Sequence, residues 1–397
     1  MKKLVLWIIT FIFLFNSAML AVNASSEKTN SGSNRKIVVW KQNIKDFNKD
    51  ITIIGGQKIK DLPLINATVV VLQDKKNELL LKNNPNVLRV DDDVIVEVFS
   101  KESSVNGRGT VSQPSEVLPW GVDRIDAEKV WPLGNTANPI KIGVIDTGIS
   151  NKHPDLLSNV KGGVNTINFK KSWNDDNGHG SHVAGIIAAL DNDIGVIGVG
   201  PQIDLYAIKA LGVSGSGYLS DVIEGIEWAI TNGMQVINMS LGTNSDIQSF
   251  HDAIISAKNA GIVIVAAAGN SGGAVSFPAA YPEVIAVSAT DENNIIASWS
   301  NRGPEIDLAA PGVNIYSTYK GTSYATLSGT SMAAPHVAGA AALVLNTPVG
   351  TYDVNGNNRW DPDEVQKKLQ DTATDLGDSG FDNLYGWGLV NAFSAVQ

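Results

Sequence analysis

The chain has 397 residues, with 30 Lys and Arg against 40 Asp and Glu, and a formal charge of −10. Hydrophobic residues make up 43% of it and charged residues 18%, a balance typical of a globular protein with a large core. The acidic charge disfavours a nucleic-acid partner, because binding to phosphate needs a basic face. The absence of Cys excludes disulfide frameworks, thiol nucleophiles and thiolate metal sites.

The first 24 residues have the pattern of a secretory signal peptide. Lys2 and Lys3 form a basic start, residues 4–15 are a run of 12 mostly apolar residues, and small residues follow at 22–24. The run is shorter than the ~20 residues that a membrane-spanning helix needs. We therefore expect an exported, extracellular protein without membrane association once the signal peptide is removed.

Residues 25–112 predict a small α+β domain of the ferredoxin-like type that ends in a linker. The segment 25–111 carries 14 basic and 11 acidic side chains, whereas 112–397 carries 14 basic and 29 acidic ones. Their opposite net charges favour association. The strands are predicted at 37–40, 51–54, 67–72 and 94–98, the helices at 77–83 and near 44–48, and the linker at 103–115.

Residues 113–397 alternate between continuous apolar runs and helical patterns. This order predicts a doubly wound α/β domain with a mostly parallel sheet, whose functional site lies beyond the carboxyl ends of the strands. The strands are predicted at 140–145, 204–210, 236–239, 263–267 and 284–287, and the helices at 179–190, 220–231, 245–260 and 331–345.

Three short segments of this domain carry an acid, an imidazole and a hydroxyl at the ends of predicted elements. Asp146 ends an apolar strand in I-G-V-I-D-T-G, His179 starts a helix in N-G-H-G-S-H-V-A-G, and Ser331 starts another in G-T-S-M-A-A-P-H. These are the parts of an activated nucleophile, in which Ser attacks, His takes its proton and Asp holds the imidazole.

In this order the three segments resemble the signature regions of the subtilisin-like serine proteases (the subtilase family, peptidase S8), and the similarity extends from about residue 119 to the C-terminus. The resemblance implies a subtilisin-like fold and hydrolysis of peptide bonds through an acyl-enzyme. Asp146 would orient the ring, His179 would be the general base and acid, and Ser331 the nucleophile. His182 is expected to be a hydrogen-bonded structural neighbour.

The same resemblance implies the rest of the active site. Asn270, in a Gly-rich turn after a buried strand, would stabilise the oxyanion together with the backbone N–H of Ser331. The small side chains of the main pocket favour broad specificity, with a large apolar residue at P1, the position whose carbonyl is attacked. A cis peptide bond is expected at Phe277–Pro278. The implied substrate-binding residues are Ser240, Leu241, Gly242, Gly215, Ser216 and Gly217 along the peptide backbone, and Ala267, Gly269 and Ser276 in the pocket.

Structural Ca²⁺ is implied at two sites built from oxygen ligands. Glu116 stands where the family usually has glutamine. The first site comprises Glu116, Asp155, Leu190, Asn192, Ile194 and Val196, and the second comprises Ala279, Tyr281, Val284 and Asp307.

A third calcium site is predicted from spacing alone. Asn358 occupies the sixth position of an EF-hand-like loop, where Gly is usual, and Asn tolerates a left-handed backbone. The alternative is a polar loop that caps the following helix. Positions 1, 3, 5, 7, 9 and 12 of the loop are Asp353, Asn355, Asn357, Arg359, Asp361 and Glu364.

Residues 25–112 resemble the inhibitory propeptide of secreted subtilases, which makes the chain's own N-terminal domain an expected partner beside peptide and protein substrates. We expect it to fill the cleft with its C-terminal strand and to be removed by self-cleavage between about Ser103 and Glu116. The mature monomer would begin near Ser115. The sequence thus predicts a secreted, calcium-dependent serine endopeptidase that is made as a self-processing zymogen.

Three alternatives remain open on the sequence. One is a dedicated processing protease for a single exported precursor. Another is an aspartic protease, since Asp146-Thr147-Gly148 and Asp378-Ser379-Gly380 both match the pattern Asp-Ser/Thr-Gly. A carboxylate dyad needs two equivalent strand ends, however, and no apolar strand precedes Asp378. The third is an inactive binding protein, which is disfavoured because all four catalytic residue types are present.

Overall fold

The computed structural model describes residues 34–41, 51, 56–106 and 113–397. The predicted signal peptide, the helix expected near 44–48 and the strand expected at 51–54, apart from Ile51, lie outside these ranges. Within them, no helix combines the length and the apolar character that a membrane crossing requires.

An antiparallel sheet of four strands, in the order β2-β3-β1-β4, forms the N-terminal part of the described chain. Helix α1 (Lys75–Lys82) packs on it, and the Asp74 carboxylate caps this helix by accepting the Asn77 N–H. The strands are β1 (Arg35–Trp40), β2 (Gly56–Leu62), β3 (Ala67–Leu72) and β4 (Val87–Asp92).

Two features of this sheet differ from the sequence prediction. The sequence does not predict β2, because its exposed and half-buried residues alternate and no continuous apolar run marks it. The prediction that residues 94–98 form the last strand of this sheet is wrong. The segment forms β5 (Ile95–Val98) of a different sheet, and β4 takes the edge position instead.

The central sheet has seven strands in the order β15-β14-β13-β11-β7-β9-β8. All neighbouring pairs are parallel, which confirms the predicted doubly wound α/β fold. The sequence pattern does not predict β8, which contains two Gly, or β15, which is short and ends in Pro. The strands are β7 (Lys141–Asp146), β8 (Val160–Asn165), β9 (Asp204–Lys209), β11 (Val236–Met239), β13 (Val263–Ala267), β14 (Ile285–Thr290) and β15 (Leu308–Pro311).

Helices cover both faces of the central sheet. α3 (His179–Ala188) and α6 (Thr330–Leu345) share one buried cluster with Val144, and α4 (Leu219–Thr231) and α5 (Gln248–Asn259) share another with Ile145. Successive residues of β7 serve opposite layers because side chains alternate across a strand. The shorter helices are α2 (Trp120–Arg124), α7 (Pro362–Asp371) and α8 (Ala392–Ala395).

Two three-stranded sheets join the N-terminal part to the rest. β5 lies between β10 (Ser216–Tyr218) and β12 (Leu241–Gly242). The N-terminal sheet also shares the buried cluster of α4 and α5, through residues such as Ile37 and Val69. The second small sheet consists of β6 (Lys101–Asn106), β17 (Tyr324–Ser328) and β16 (Ile315–Thr318).

Candidate active site

Asp146 and His179 meet where β7 ends and α3 begins. The Nδ1 atom of His179 lies 2.8 and 2.9 Å from the two carboxylate oxygens of Asp146. The relative exposures of Asp146 and His179 are 0% and 2%, and the Thr147 N–H donates a further hydrogen bond of 2.6 Å to the carboxylate. A carboxylate at Nδ1 keeps the proton on that nitrogen, which leaves Nε2 as the basic atom of the ring.

A second buried carboxylate, Asp175, fixes the start of α3. Its oxygens accept hydrogen bonds from the Gly178 N–H, from the N–H and hydroxyl of Ser181, and from the Thr147 hydroxyl. Burial raises the pKa of Asp175, while these donors act in the opposite direction. The sequence analysis missed this positioning residue, whose only signal is an acid four residues before His179.

Ser331 lies in the first turn of α6 and is fully buried. Its Oγ donates to the Ser240 carbonyl oxygen at 2.9 Å and accepts from the Phe99 N–H at 3.0 Å. The Nε2 atom of His179 is buried and has no hydrogen-bond partner among the described residues. Transfer of the hydroxyl proton to Nε2 therefore requires that the hydroxyl exchange its bond to the Ser240 oxygen for one to Nε2.

Two donors meet on one carbonyl oxygen beside Ser331. The Asn270 Nδ2 donates to the Phe99 oxygen at 2.7 Å, and the Ser331 N–H donates to the same atom at 3.3 Å. The Asn270 Oδ1 accepts from the N–H and hydroxyl of Thr330, which fixes the orientation of the amide. Such a pair of fixed donors can stabilise the negative charge that develops on an attacked carbonyl.

The backbone segments expected to bind an extended peptide hold β5. The register pairs Glu97 with Ser216 on one side and with Gly242 on the other, so β5 is hydrogen-bonded along both edges. The Val98 N–H also donates to the Gly215 oxygen at 3.0 Å. Leu241 pairs with Val98, and Gly217 pairs with Val96.

The ring of Phe99 lies in the pocket beside Gly242. A Cβ atom built on Gly242 would lie 2.7 Å from the Phe99 ring, so only glycine leaves room for the ring there. Ser276 lines the cavity beside Phe99, whereas Ala267 is buried within β13. Gly269 has a φ of 108°, which favours glycine, and Asn244 and Asn301 are lining residues that the sequence analysis missed.

Two other histidines of the domain, His182 and His336, are buried and lie within hydrogen-bond distance of backbone carbonyl oxygens. His182 Nε2 lies 3.0 Å from the carbonyl oxygens of both Ile315 and Ala325, and burial lowers the pKa of His182 to about 3. Burial also lowers the pKa of His336 to about 4. The expected cis bond between Phe277 and Pro278 is present.

The two aspartates of the aspartic-protease alternative have different surroundings. Asp146 is buried against His179, whereas Asp378 is exposed in a loop. A carboxylate dyad needs two acids that share one proton. The structure therefore gives no support to that alternative.

Three side chains of the first expected calcium site are close together. Glu116 accepts the Asn192 N–H at 2.6 Å, and the Asp155 oxygens accept the Asn192 Nδ2 at 3.0 Å and the Val196 N–H at 2.9 Å. Backbone bridges of Ser115 to Ile194 and of Val117 to Val196 hold this loop. Burial raises the pKa of Asp155 to about 6.

At the second expected calcium site, the protein itself occupies the carboxylate oxygens. Asp307 accepts from the Ala286 N–H and from the side-chain amides of Gln366 and Gln370, each at 2.8 Å. Burial raises the pKa of Asp307 to about 6. The backbone oxygens expected to complete this site belong to Ala279, Tyr281 and Val284.

The 353–364 loop turns its polar side chains inward. Asp353 accepts the N–H groups of Asn357 and Asn358, and Asn358 has a φ of 57°, as expected at the glycine position. Glu364 and Asp361 form a capping box at the start of α7, so the helix-capping alternative describes part of this loop. In the described ranges, no three acidic or histidine side chains are grouped closely enough to hold a metal by themselves.

The chain matches the Subtilase family, Peptidase S8, over residues 137–388. This match covers more than half of the chain and contains the Asp146, His179, Asn270 and Ser331 positions. The chain therefore belongs to the subtilase family. It is a serine endopeptidase, and its substrates are peptides or proteins.

Individual relatives support the same assignment. The chain is 49% identical to Subtilisin Savinase of Lederbergia lenta over 71% of this chain and 100% of that protein. It is 41% identical to a thermostable alkaline protease of Halalkalibacterium halodurans over 100% of this chain and 99% of that protein. It is 39% identical to Subtilisin J of Geobacillus stearothermophilus over the full length of both.

We expect Asn270→Leu to lower kcat for peptide hydrolysis about 10²- to 10³-fold, the range known for the corresponding donor of a subtilisin. KM should change little, because the donor acts mainly on the charge of the transition state. Steady-state kinetics per mole of folded protein would measure this effect. Asn293→Leu, the same change at an exposed position, is the matched control, and a kcat of Asn270→Leu equal to the control would contradict the assignment.

Proposed function

We propose that the chain is made as a secreted zymogen whose N-terminal domain occupies the cleft, and that the mature form is a calcium-stabilised endopeptidase of broad specificity. The observation that carries this proposal is the carbonyl oxygen of Phe99, which accepts hydrogen bonds from both the Asn270 side chain and the Ser331 N–H. A segment of the chain thus lies in the cleft as a substrate would.

The proposed reaction assigns one role to each polar group. His179 Nε2 takes the proton of the Ser331 hydroxyl while Oγ attacks the substrate carbonyl, and Asp146 stabilises the imidazolium that forms. Asn270 and the Ser331 N–H stabilise the oxyanion. The imidazolium then protonates the leaving amine, and water hydrolyses the acyl-enzyme with His179 as the base.

The contacts of the N-terminal domain support its role as an intramolecular inhibitor. The capping positions of α4 and α5 are Tyr218 and Ile247, which supply no capping side chain. Asp93 of the N-terminal domain accepts the Ser220 N–H at 2.8 Å, and Asp91 accepts the Ser249 N–H at 3.1 Å. An external carboxylate thus caps each helix, where negative charge is favourable.

Ion pairs add to these caps. Lys60 of β2 lies 2.6 Å from Asp221 and 2.5 Å from Glu224, both on α4. Arg89 of β4 lies 2.7 Å from Asp252 on α5. The basic side chains of the N-terminal part thus meet acidic ones of the larger part, in line with their opposite net charges.

The pocket supports a preference for large apolar residues at P1. The Phe99 ring lies against Gly242 and lines a cavity together with Ser276, and the lining of this cavity includes no acidic or basic side chain. Val96, three residues before Phe99, is fully buried in an apolar cluster with Leu241. An apolar site at Val96 and an uncharged pocket at Phe99 select for apolar character rather than for one sequence, which favours broad specificity.

Secretion rests on the amino-acid pattern of the first 24 residues, which lie outside the described ranges. Calcium binding is supported best at the loop that contains Asp155 and Asn192. The Asp155 carboxylate is fully buried, its pKa is raised, and no basic side chain of the described ranges pairs with it, which favours a nearby cation. Glu116, Asp155 and Asn192 would supply side-chain oxygens to Ca²⁺, which would hold the loop to the 115–117 segment.

We expect Ser331→Ala to abolish both peptide hydrolysis and self-processing, because the attacking oxygen is lost. Intact-mass measurement of the purified chain should find the N-terminal domain still attached. Ser298→Ala, at an exposed position, is the control and should process as the unaltered chain does. Unassisted processing of Ser331→Ala would contradict the zymogen proposal.

Among peptide anilides that differ only at P1, we expect Phe, Tyr and Leu to be hydrolysed with kcat/KM at least about tenfold above Asp and Lys. The physical reason is that a pocket lined by no acidic or basic side chain leaves a buried charge without an ionic partner. Cleavage confined to a single sequence context, whatever the P1 residue, would instead favour the dedicated processing protease.

In a Ser331→Ala background, where the chain cannot digest itself, excess Ca²⁺ should raise the thermal midpoint relative to chelator by about 5 °C. Asp155→Asn should remove most of that difference, and Asp378→Asn should leave it intact because Asp378 is exposed. Asp353→Asn tests the third site in the same way. Equal midpoints in calcium and in chelator for the parent chain would contradict calcium binding.

A further inference from the structure

The peptide unit at the catalytic serine is Phe99–Ser100, upstream of the window predicted from the sequence. We propose that the first maturation cleavage breaks this bond, and that residues 100–106 then stay bound as an N-terminal strand on the leaving-group side of the cleft. The inference rests on the proposed zymogen function and names the bond on which that function acts.

The acyl side of the bond is held in a single register. Pairing of β5 with both β10 and β12 aligns Glu97 and Val98 with the cleft. The next residue, Phe99, then has its N–H on the Ser331 Oγ and its oxygen on the two oxyanion donors. A shift by one residue would turn each side chain of β5 to the opposite face.

Gly329, two residues before the nucleophile, gives an independent indication that the 99–100 bond is the one to be cleaved. A Cβ atom built on Gly329 would overlap the Phe99 carbonyl oxygen and lie 3.0 Å from the Cα atom of Ser100. The backbone at Gly329 therefore approaches the 99–100 peptide unit so closely that a side chain has no room. Close approach of a backbone to a ligand is a common reason for glycine.

The leaving-group side is held by β6. Its residues pair with β17 in an antiparallel register that runs from Lys101 opposite Ser328 to Asn106 opposite Tyr324. Because β17 ends at Ser328, three residues before Ser331, β6 lies directly beyond the scissile bond. The predicted window from Ser103 onward thus begins inside a paired strand rather than at the nucleophile.

The cleavage needs no reactant other than water. The Ser331 Oγ forms a bond to the Phe99 carbonyl carbon and passes its proton to His179 Nε2. The bond from this carbon to the Ser100 nitrogen then breaks, and the nitrogen takes that proton. Water, deprotonated by His179, hydrolyses the Phe99 ester, which leaves a carboxylate on Phe99 and an amine on Ser100.

The cut leaves β5 and β6 in different fragments. β5 belongs to the released N-terminal fragment, whereas β6 stays covalently joined to the catalytic domain. Its pairing with β17 is intramolecular and is not broken by the cut. The enzyme that begins at Ser100 therefore carries a strand where the leaving side of a long substrate would bind.

The first test is the mass of both fragments at early times after the full chain folds. We expect an N-terminal fragment that ends at Phe99 and a catalytic fragment that begins at Ser100. Phe99→Asp should slow this cut at least about tenfold, because a charge enters a pocket without an ionic partner, and Phe99→Tyr should not. Val111→Asp, in the predicted window, is the control and should leave the first cut unchanged.

The outcomes separate the inference from the proposed function. If the chain matures and hydrolyses peptide anilides but the first fragment ends after residue 102, the Phe99–Ser100 assignment is overturned and the protease function stands. If neither processing nor peptide hydrolysis occurs in the unaltered chain, the proposed function itself fails.

A second experiment tests whether residues 100–106 stay bound in the cleft. Peptides that extend several residues beyond the scissile bond should show a higher KM with the Ser100 form than with a form trimmed of residues 100–106. Anilides, which have no residues on that side, should show equal KM with both. Equal KM for the long peptides would overturn the retained strand.

Discussion

The hydrogen bond between the buried Asp146 carboxylate and His179 Nδ1 is the contact on which the rest of the site depends. Removing a carboxylate from water is costly unless donors replace the solvent, and here the imidazole and the Thr147 N–H do so. The bond also fixes the tautomer, so the unpartnered buried atom of the ring is Nε2. Nε2 is thus the ring atom available for the hydroxyl proton.

Small residues let the catalytic elements approach one another. A Cβ atom on Gly180 would lie 3.1 Å from an Asp146 oxygen, so the glycine after His179 allows α3 to begin against the end of β7. Gly329 does the same for α6 and the peptide in the cleft. Gly180 directly follows His179 and Gly329 lies two residues before Ser331, so both glycines of these motifs have a steric role.

The sequence predicts the central strands and the catalytic motifs because each has a strong local signal: an apolar run, a Gly-rich turn or an acid at a strand end. It misses Asp175 and Asn301, whose roles arise only from contacts made after folding. Residues 94–98 have a correct strand pattern but an incorrect partner, since β5 pairs with strands more than 100 residues away. Local periodicity indicates a strand and contains no information about which edge it joins.

The contacts of the N-terminal domain with α4 and α5 act within one chain before the proposed cut and between two fragments after it. While the chain is continuous, the caps from Asp91 and Asp93 and the Lys60 ion pairs hold β5 in the cleft intramolecularly, at a high effective concentration. After the cut they bind a separate fragment, which can dissociate. A domain of fewer than ~80 residues is marginally stable alone, and part of its apolar surface is buried only against α4 and α5. Once released, the fragment exposes that surface and is open to proteolysis, because cleavage follows the population of unfolded chain. The proposed inhibition is thus strong only as long as the domain remains attached.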